Sequence, residues 1–187
     1  MVSEATAEST EVMQPESQRE TFLRLMEQYE PPLRRMAGAY LQRPADREDL
    51  VQEIALALWQ AIPNFRSDAS ERTWLYRIAH NVAISSSAKL RRTGSRESQV
   101  PELFDPPSSR TDAEAEVLAD ERHRLLIECI RGLQQVDRQI ILLHLESLSY
   151  SEIKEVTGLS ETAIAARLTR IRGKLREQIR SKEVGSI

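Results

Sequence analysis

Between Thr93 and Arg110 the chain reads Thr-Gly-Ser-Arg-Glu-Ser-Gln-Val-Pro-Glu-Leu-Phe-Asp-Pro-Pro-Ser-Ser-Arg, and no helical apolar period survives in it. Prolines that cannot donate and small polar residues that compete for backbone hydrogen bonds make it a linker. A 187-residue chain allows one sizeable domain or two small ones, and this break divides it into two. It is expected to form two small units over 17–93 and 112–182, joined by a flexible linker over 94–111. Residues 1–16 read as a disordered terminus and 183–187 as a tail. Each unit buries only a modest core and is marginal alone.

Both units carry helical spacing. Aromatic residues are 5% of the chain and there are six glycines, which argues against sheet and for an all-α fold. In the first unit one helix is expected over about 17–40, interrupted or kinked near Pro31-Pro32. A second follows Pro44-Ala-Asp46, with Asp46 as its cap, and stops before Pro63. Its apolar stripe is Leu50, Val51, Ile54, Ala55, Leu58 and Trp59. A third runs from about Ser70 to Arg92 with the stripe Trp74, Leu75, Ile78, Ala79 and Val82. In the second unit, helices are expected over about 113–133 and 137–146. Then Ser149-Tyr-Ser-Glu152 has the capping-box spacing, Gly158 suits a left-handed helix end, and Ser160 caps a last helix to about Ile179. Two helices joined by a short Gly-bearing turn make a helix-turn-helix, with Ile153, Val156, Leu159, Ile164 and Leu168 spaced to lock them together.

The formal net charge of −3 hides strong local asymmetry. Residues 1–20 sum to −4 and 102–121 to −6, whereas 72–92 sum to +5 and 163–182 to +6. Exposed charges are screened beyond about 8 Å at physiological ionic strength, so these local sums govern attraction of a polyanion. One cysteine excludes an internal disulfide scaffold and suits a reducing compartment. Apolar runs such as Ile140–Leu143 are far short of the ~20 residues that cross a bilayer. Glu4, Glu8 and Glu11 stand where a secretion signal needs positive charge. The expectation is a cytoplasmic protein.

The helix-turn-helix presents Ser160, Glu161 and Thr162 at the start of its second helix, where such a helix meets base edges in a major groove. Arg167, Arg170, Arg172 and Lys174 lie further along and suit phosphates. In the first unit, Asn64-Phe65-Arg66-Ser67 precedes a helix bearing Arg77, His80 and Asn81, a mix of aromatics, Arg and amides that suits unpaired bases. Trp74 belongs to the apolar stripe and reads as core rather than as a stacking platform.

These motifs together carry a resemblance. Asp46-Arg-Glu-Asp-Leu-Val-Gln-Glu-Ile, Leu58-Trp, Asn64-Phe-Arg and Thr73-Trp-Leu-Tyr-Arg-Ile-Ala-His-Asn-Val-Ala-Ile resemble region 2 of bacterial sigma factors of the extracytoplasmic-function (ECF) type. Leu148-Ser-Tyr-Ser-Glu-Ile, Gly158-Leu-Ser-Glu, Arg167-Leu and Arg170-Ile-Arg-Gly-Lys-Leu-Arg resemble their region 4. The match covers about 22–92 and 115–179. The resemblance implies a subunit that binds core RNA polymerase and directs it to promoters. Asp49, Gln52 and Glu53 would then face the clamp helices of the largest polymerase subunit. Asn64, Phe65, Arg66 and Ser67 would capture a flipped base of the −10 element, with Arg77, His80, Asn81, Ser85, Lys89, Arg91 and Arg92 along the melted strand. Ser160, Glu161, Thr162, Arg167, Arg170, Arg172 and Lys174 would engage the −35 element, and region 4 would also touch the polymerase flap. An anti-sigma factor is the further partner the family implies.

The chain departs from the family pattern at several places. Ser85-Ser86-Ser87-Ala88 intervenes before the basic cluster, Lys154 stands where a small Ala is usual, and Gln134 replaces a Pro. The Lys154 stem is expected to snorkel along the packing surface. Ala163, Ala165 and Ala166 replace polar residues in the recognition helix, so phosphate contacts and shape are expected to outweigh base hydrogen bonds. Rival readings are a stand-alone helix-turn-helix regulator and a sigma-like protein-binding adaptor. No enzyme is indicated: His80, His123 and His144 lie apart with no metal-ligand spacing, Cys129 sits amid Leu125, Leu126, Ile127 and Ile130, and no phosphate-cradling Gly loop is present. No cofactor or catalytic residue is expected.

Overall fold

The computed structural model describes residues 15–65, 70–92 and 113–184, and within them all regular structure is helical. Residues 1–14 of the expected terminus, the linker, Arg66 and Ser67 fall outside the described residues, whereas Pro15 and Glu16, expected in that terminus, open the first helix. The helices are α1 (Pro15–Tyr40), α2 (Pro44–Ala61), α3 (Glu71–Arg92), α4 (Ala113–Arg131), α5 (Gln135–Leu145), α6 (Tyr150–Thr157) and α7 (Glu161–Val184), with a 3₁₀ turn at Ile62–Asn64.

Helix α1 is continuous through Pro31 and Pro32, so the expected interruption is absent. Each interior proline costs about 3 kcal/mol by removing a donor and crowding the preceding turn. The buried positions Leu25, Tyr29, Leu33, Met36 and Tyr40 keep one phase across the prolines, so burial on both sides offsets that cost. Asp46 does not cap α2. Arg43 takes the cap position without a side-chain bond and Pro44 opens the helix, leaving Asp46 in the first turn, where its charge suits the helix dipole. Leu50, Val51, Ile54 and Leu58 are buried as expected, but Trp59 is turned outward at 36% exposure and packs edge-on against Phe22.

Helix α3 is capped by Ser70, whose Oγ accepts from the Thr73 amide at 3.1 Å. Its buried face is rotated from the expected one. Leu75, Tyr76, Ala79, His80 and Ala83 are buried, whereas Trp74, Ile78 and Val82 are half-buried. The reason is tertiary: α3 packs against α1 and α2 and also against α5 and α6 of the second unit, which covers a side that one helix's own pattern does not reveal.

The second unit follows its punctuation closely. Ser149 and Glu152 form the reciprocal capping box, Gly158 ends α6 at φ 73°, and Ser160 Oγ accepts from the Ala163 amide at 3.2 Å to open α7. Ile153, Ile164 and Leu168 are fully buried between the two helices. Cys129 is buried. Lys154 is exposed.

The two units lie against each other, with α1 on α4 and α3 on α5 and α6, and their buried residues join in one core. Among the described residues, no helix is long and apolar enough to cross a membrane, and no three His, Cys, Asp or Glu side chains gather to hold a metal.

Candidate nucleic-acid and polymerase interfaces

Helix α2 buries Leu50, Ile54 and Leu58, which leaves Asp49, Gln52 and Glu53 on solvent. Leu56 is 58% exposed on the same side, and Trp59 continues the line. Positions 49, 52, 53, 56 and 59 follow the helical period, so an acidic and amide strip merges into an uncovered apolar one. Contiguous exposed apolar surface marks an interaction face. Trp59 was missed because it was assigned to the buried stripe, and Leu56 was given no role; the period applied to Asp49, Gln52 and Glu53 would have found both. Beside this strip, Glu48 pairs with Arg34 at 2.6 Å, and that hydrogen bond lowers the Glu48 carboxyl below its usual range.

Across from α2, the outer face of α3 carries Asn81, Ser85 and Lys89. With Glu53, Val82 and Ser86 they line an open cleft of about 350 Å³ between the two helices. Arg91 and Arg92 follow on solvent at the helix end. Arg77 is half-buried, with Nε buried and without a hydrogen-bond partner among the described residues. His80 is not on this face. It is 1% exposed, shares a 3.0 Å hydrogen bond with the Tyr40 hydroxyl through Nδ1, and lies beside the Tyr76 ring. Burial holds its imidazole neutral, with a pKa pushed down to about 3. The expectation that His80 meets a DNA strand is therefore withdrawn: one step of 100° from Asn81 turns it into the core.

Asn64 is exposed at the end of the 3₁₀ turn, and Phe65 is half-buried against Trp74, ring centroids 4.7 Å apart and tilted by 45°. Trp74 is thus the wall behind Phe65 and is itself only half-covered. This pair borders the segment that holds Arg66 and Ser67.

In the helix-turn-helix, Ser160, Glu161 and Thr162 are exposed at the start of α7. Thr162, Ala166, Thr169 and Arg170 share one outer face at helical spacing, with Gly173 beyond them. Thr169 was missed; its place on the same period as Thr162 and Arg170 was the available signal. The small residues leave this face smooth. Arg170 and Lys174 are exposed. Arg167 behaves differently from the expectation of a DNA-contacting residue: its guanidinium donates to Asp137 at 2.8 Å, tying α7 to α5, and it is half-buried. Arg172 donates to His144 Nε2 at 2.6 Å. Burial and the nearby Arg172 charge lower the His144 pKa, so the imidazole stays neutral and accepts that bond.

Two basic outer faces, one beside an acidic and apolar strip and one on a helix-turn-helix, are thus on one chain. Comparison with known proteins gives this arrangement its family. A model of Sigma-70 region 2 matches residues 25–93, and a model of Sigma-70, region 4 matches residues 123–175. The chain is 29% identical over 168 residues to the ECF RNA polymerase sigma-E factor of Haemophilus influenzae, covering 86% of this chain and 88% of that relative. It is 29% identical over 170 residues to the ECF RNA polymerase sigma-E factor of Escherichia coli, covering 81% and 82%. Among solved structures, the sigma factor RpoE in complex with the anti-sigma factor NepR from Bartonella quintana aligns with TM-score 0.67 at 21% identity, over 86% of this chain and 98% of that one. CnrH in complex with the cytosolic domain of CnrY aligns with TM-score 0.63 at 23% identity, over 87% and 90%. Those two likenesses speak for the fold. The two region models fall in chain order on the two helical units, and the chain belongs to the ECF-type RNA polymerase sigma factors, non-enzymatic proteins that direct transcription initiation through regions 2 and 4.

Proposed function

We propose that region 2 docks on core RNA polymerase through Asp49, Gln52, Glu53, Leu56 and Trp59 and reads the melted −10 element through Asn64, Phe65, Arg66, Ser67, Asn81, Ser85 and Lys89, with Arg77, Arg91 and Arg92 supplying charge. Region 4 lays α7 on the −35 duplex through Ser160, Glu161, Thr162, Thr169 and Arg170, with Arg172 and Lys174 on phosphates. The observation that carries this reading is contiguity: Glu53 of the docking strip and Asn81, Ser85 and Lys89 line one cleft, so a polymerase contact and a strand contact adjoin. Melting a promoter costs a few kcal/mol per extruded base, and a pocket for the flipped base offsets it. The protein acts in the cytoplasm, where the polymerase is. An anti-sigma factor that masks these faces is a further partner, in keeping with the anti-sigma complex of RpoE from Bartonella quintana.

Transcription with purified core polymerase tests the reading. Promoter-specific initiation is expected; duplex binding by the free chain without initiation would favour a stand-alone regulator, and neither activity would favour an adaptor. Asn81→Ala is expected to slow promoter opening, read by permanganate reactivity, while closed-complex formation is largely kept; equal loss at both steps contradicts the strand role. Arg170→Ala and Lys174→Ala should each weaken −35 binding for all sequences and lower its salt dependence by about one ion. Unchanged salt slopes contradict the phosphate role.

A further inference from the structure

Helix α1 has no basic residue in its own last turn, and guanidiniums from two other helices meet its end. Arg47 of α2 donates through Nε to the Leu41 carbonyl at 3.0 Å. Arg131 of α4 donates through Nε to the Gly38 carbonyl at 2.7 Å. The last carbonyls of a helix lack partners within it, so both arginines act as caps. Each bond also fixes the direction of a planar fork, and a neutral carbonyl does not cancel the charge of that fork. Gly38 presents no side chain between them; a Cβ there would stand 3.9 Å from the Arg47 guanidinium carbon.

Helix α4 supplies the opposite wall. Arg124, Ile127, Glu128 and Arg131 follow the helical period and share one face, with His123 beside them. Together with Arg35, one turn before Gly38, they border a partly enclosed cavity of about 100 Å³ where α1, α2 and α4 meet. Four guanidiniums line it against one carboxylate, Glu128, which is paired with Lys182 at 2.6 Å. Arg35 is engaged by Glu146 at 3.0 Å, so Arg47, Arg124 and Arg131 set the field inside. Gathered cations repel more strongly between protein walls than in open water, and the same walls focus their potential on an anion. The cavity is the size of about three waters at ~30 Å³ each, which suits one tetrahedral oxyanion group within it. Arg124 is exposed at the rim, in place for a second such group. Arginine forks match phosphate oxygens two by two. Arg47, Arg124 and Arg131 belong to neither proposed DNA face.

We propose that this cavity binds a small anion of the diphosphate class, one phosphoryl group held between Arg47 and Arg131 and the second by Arg124 at the rim. The test titrates the full chain with inorganic pyrophosphate by isothermal calorimetry at constant ionic strength. One saturable site per chain is expected, and orthophosphate should bind roughly tenfold more weakly. Arg124→Ala, a change at an exposed position, should weaken pyrophosphate binding roughly tenfold without lowering the unfolding temperature. Arg47→Lys keeps the charge and loses the fork, and should weaken it by a similar factor. Glu128→Gln removes the one lining carboxylate and should tighten binding several-fold, a gain that misfolding cannot produce. Arg19→Ala deletes an exposed arginine roughly 28 Å along α1 from Gly38 and should leave binding unchanged. Absence of a saturable site, or equal losses in Arg19→Ala and Arg124→Ala, overturns the proposal. Equal affinity for orthophosphate overturns the diphosphate class. Displacement of pyrophosphate by a −35 duplex would assign these cations to the nucleic-acid backbone and overturn it as well.

Discussion

Region 2 and region 4 solve the same problem, a small helical core, with different chemistry. The buried set of region 4 is almost wholly aliphatic: Ile130, Ile140, Leu143, Ile153, Ile164, Leu168 and Ile171, with Gln139 the buried polar side chain. Region 2 buries Tyr29, Tyr40 and Tyr76 together with Thr73, His80 and Ser87. Its rings meet edge-on or tilted, Tyr29 on Tyr76 at 6.1 Å and Tyr40 on His80 at 5.8 Å, and its polar atoms have specific partners. An aliphatic core depends on volume, whereas a core with ring nitrogens and hydroxyls also depends on direction and protonation. The helix ends differ in the same sense. The helix pair of region 4 is bounded by local side-chain caps and a left-handed glycine, while α2 of region 2 starts at a proline without a side-chain cap.

Three tests probe that contrast, in descending order of effect. Leu168→Ala removes a fully buried side chain between α6 and α7 and should cost about 2–5 kcal/mol of region 4 stability, with loss of −35 duplex binding. Denaturant unfolding followed by circular dichroism checks it, and a cost below about 1 kcal/mol would mean the helix pair is not set by this core.

The second concerns region 2 and acid. His80 has a folded pKa near 3 against an ordinary value of 6.5. The unfolded chain takes up this proton as pH falls through 6.5 and the folded chain does not until about 3, so the stability is fully present above 6.5 and drains away across that window. Between pH 7 and pH 5 the loss should be about 2 kcal/mol. His80→Gln, which keeps an acceptor for Tyr40, should flatten the slope; an equally steep slope in the variant would assign the acid sensitivity to other groups.

The third returns to region 4 and asks whether its punctuation acts through the backbone. A Cβ at Gly158 would meet nothing within 4 Å, so Gly158→Ala should cost about 1 kcal/mol from the positive φ alone. A Cβ at Gly173 also meets nothing, but this glycine is inside α7, and Gly173→Ala should stabilise by about 1 kcal/mol. The same change with opposite signs in thermal unfolding separates backbone strain from packing.

Much of this molecule is legible in the chain, and unevenly. Ser149, Glu152, Gly158 and Ser160 announce α6 and α7 because a cap is a contact between residues two to four apart, and such contacts need no tertiary partner. Pro44 and Pro63 bound α2 for the same local reason, although the cap fell on Arg43 rather than Asp46. The exposed strip of Asp49, Gln52 and Glu53 was legible, but Leu56 and Trp59 beside it were not, because an apolar residue on a helix is ordinarily read as core. The buried face of α3 was misread by about one residue step. His80 looked outward until Tyr40 covered it.

Local backbone chemistry, written in caps, prolines and one left-handed glycine, determined by itself where the helices of this protein begin and end, and helical periodicity set which residues share a face. Tertiary structure alone decided which face is covered. It turned His80 inward, tied Arg167 to Asp137, and gathered Arg35, Arg72 and Tyr76 on Glu146. A helical period fixes the angles between side chains but not the direction from which a distant partner arrives, and burial or pairing at long range depends on that direction.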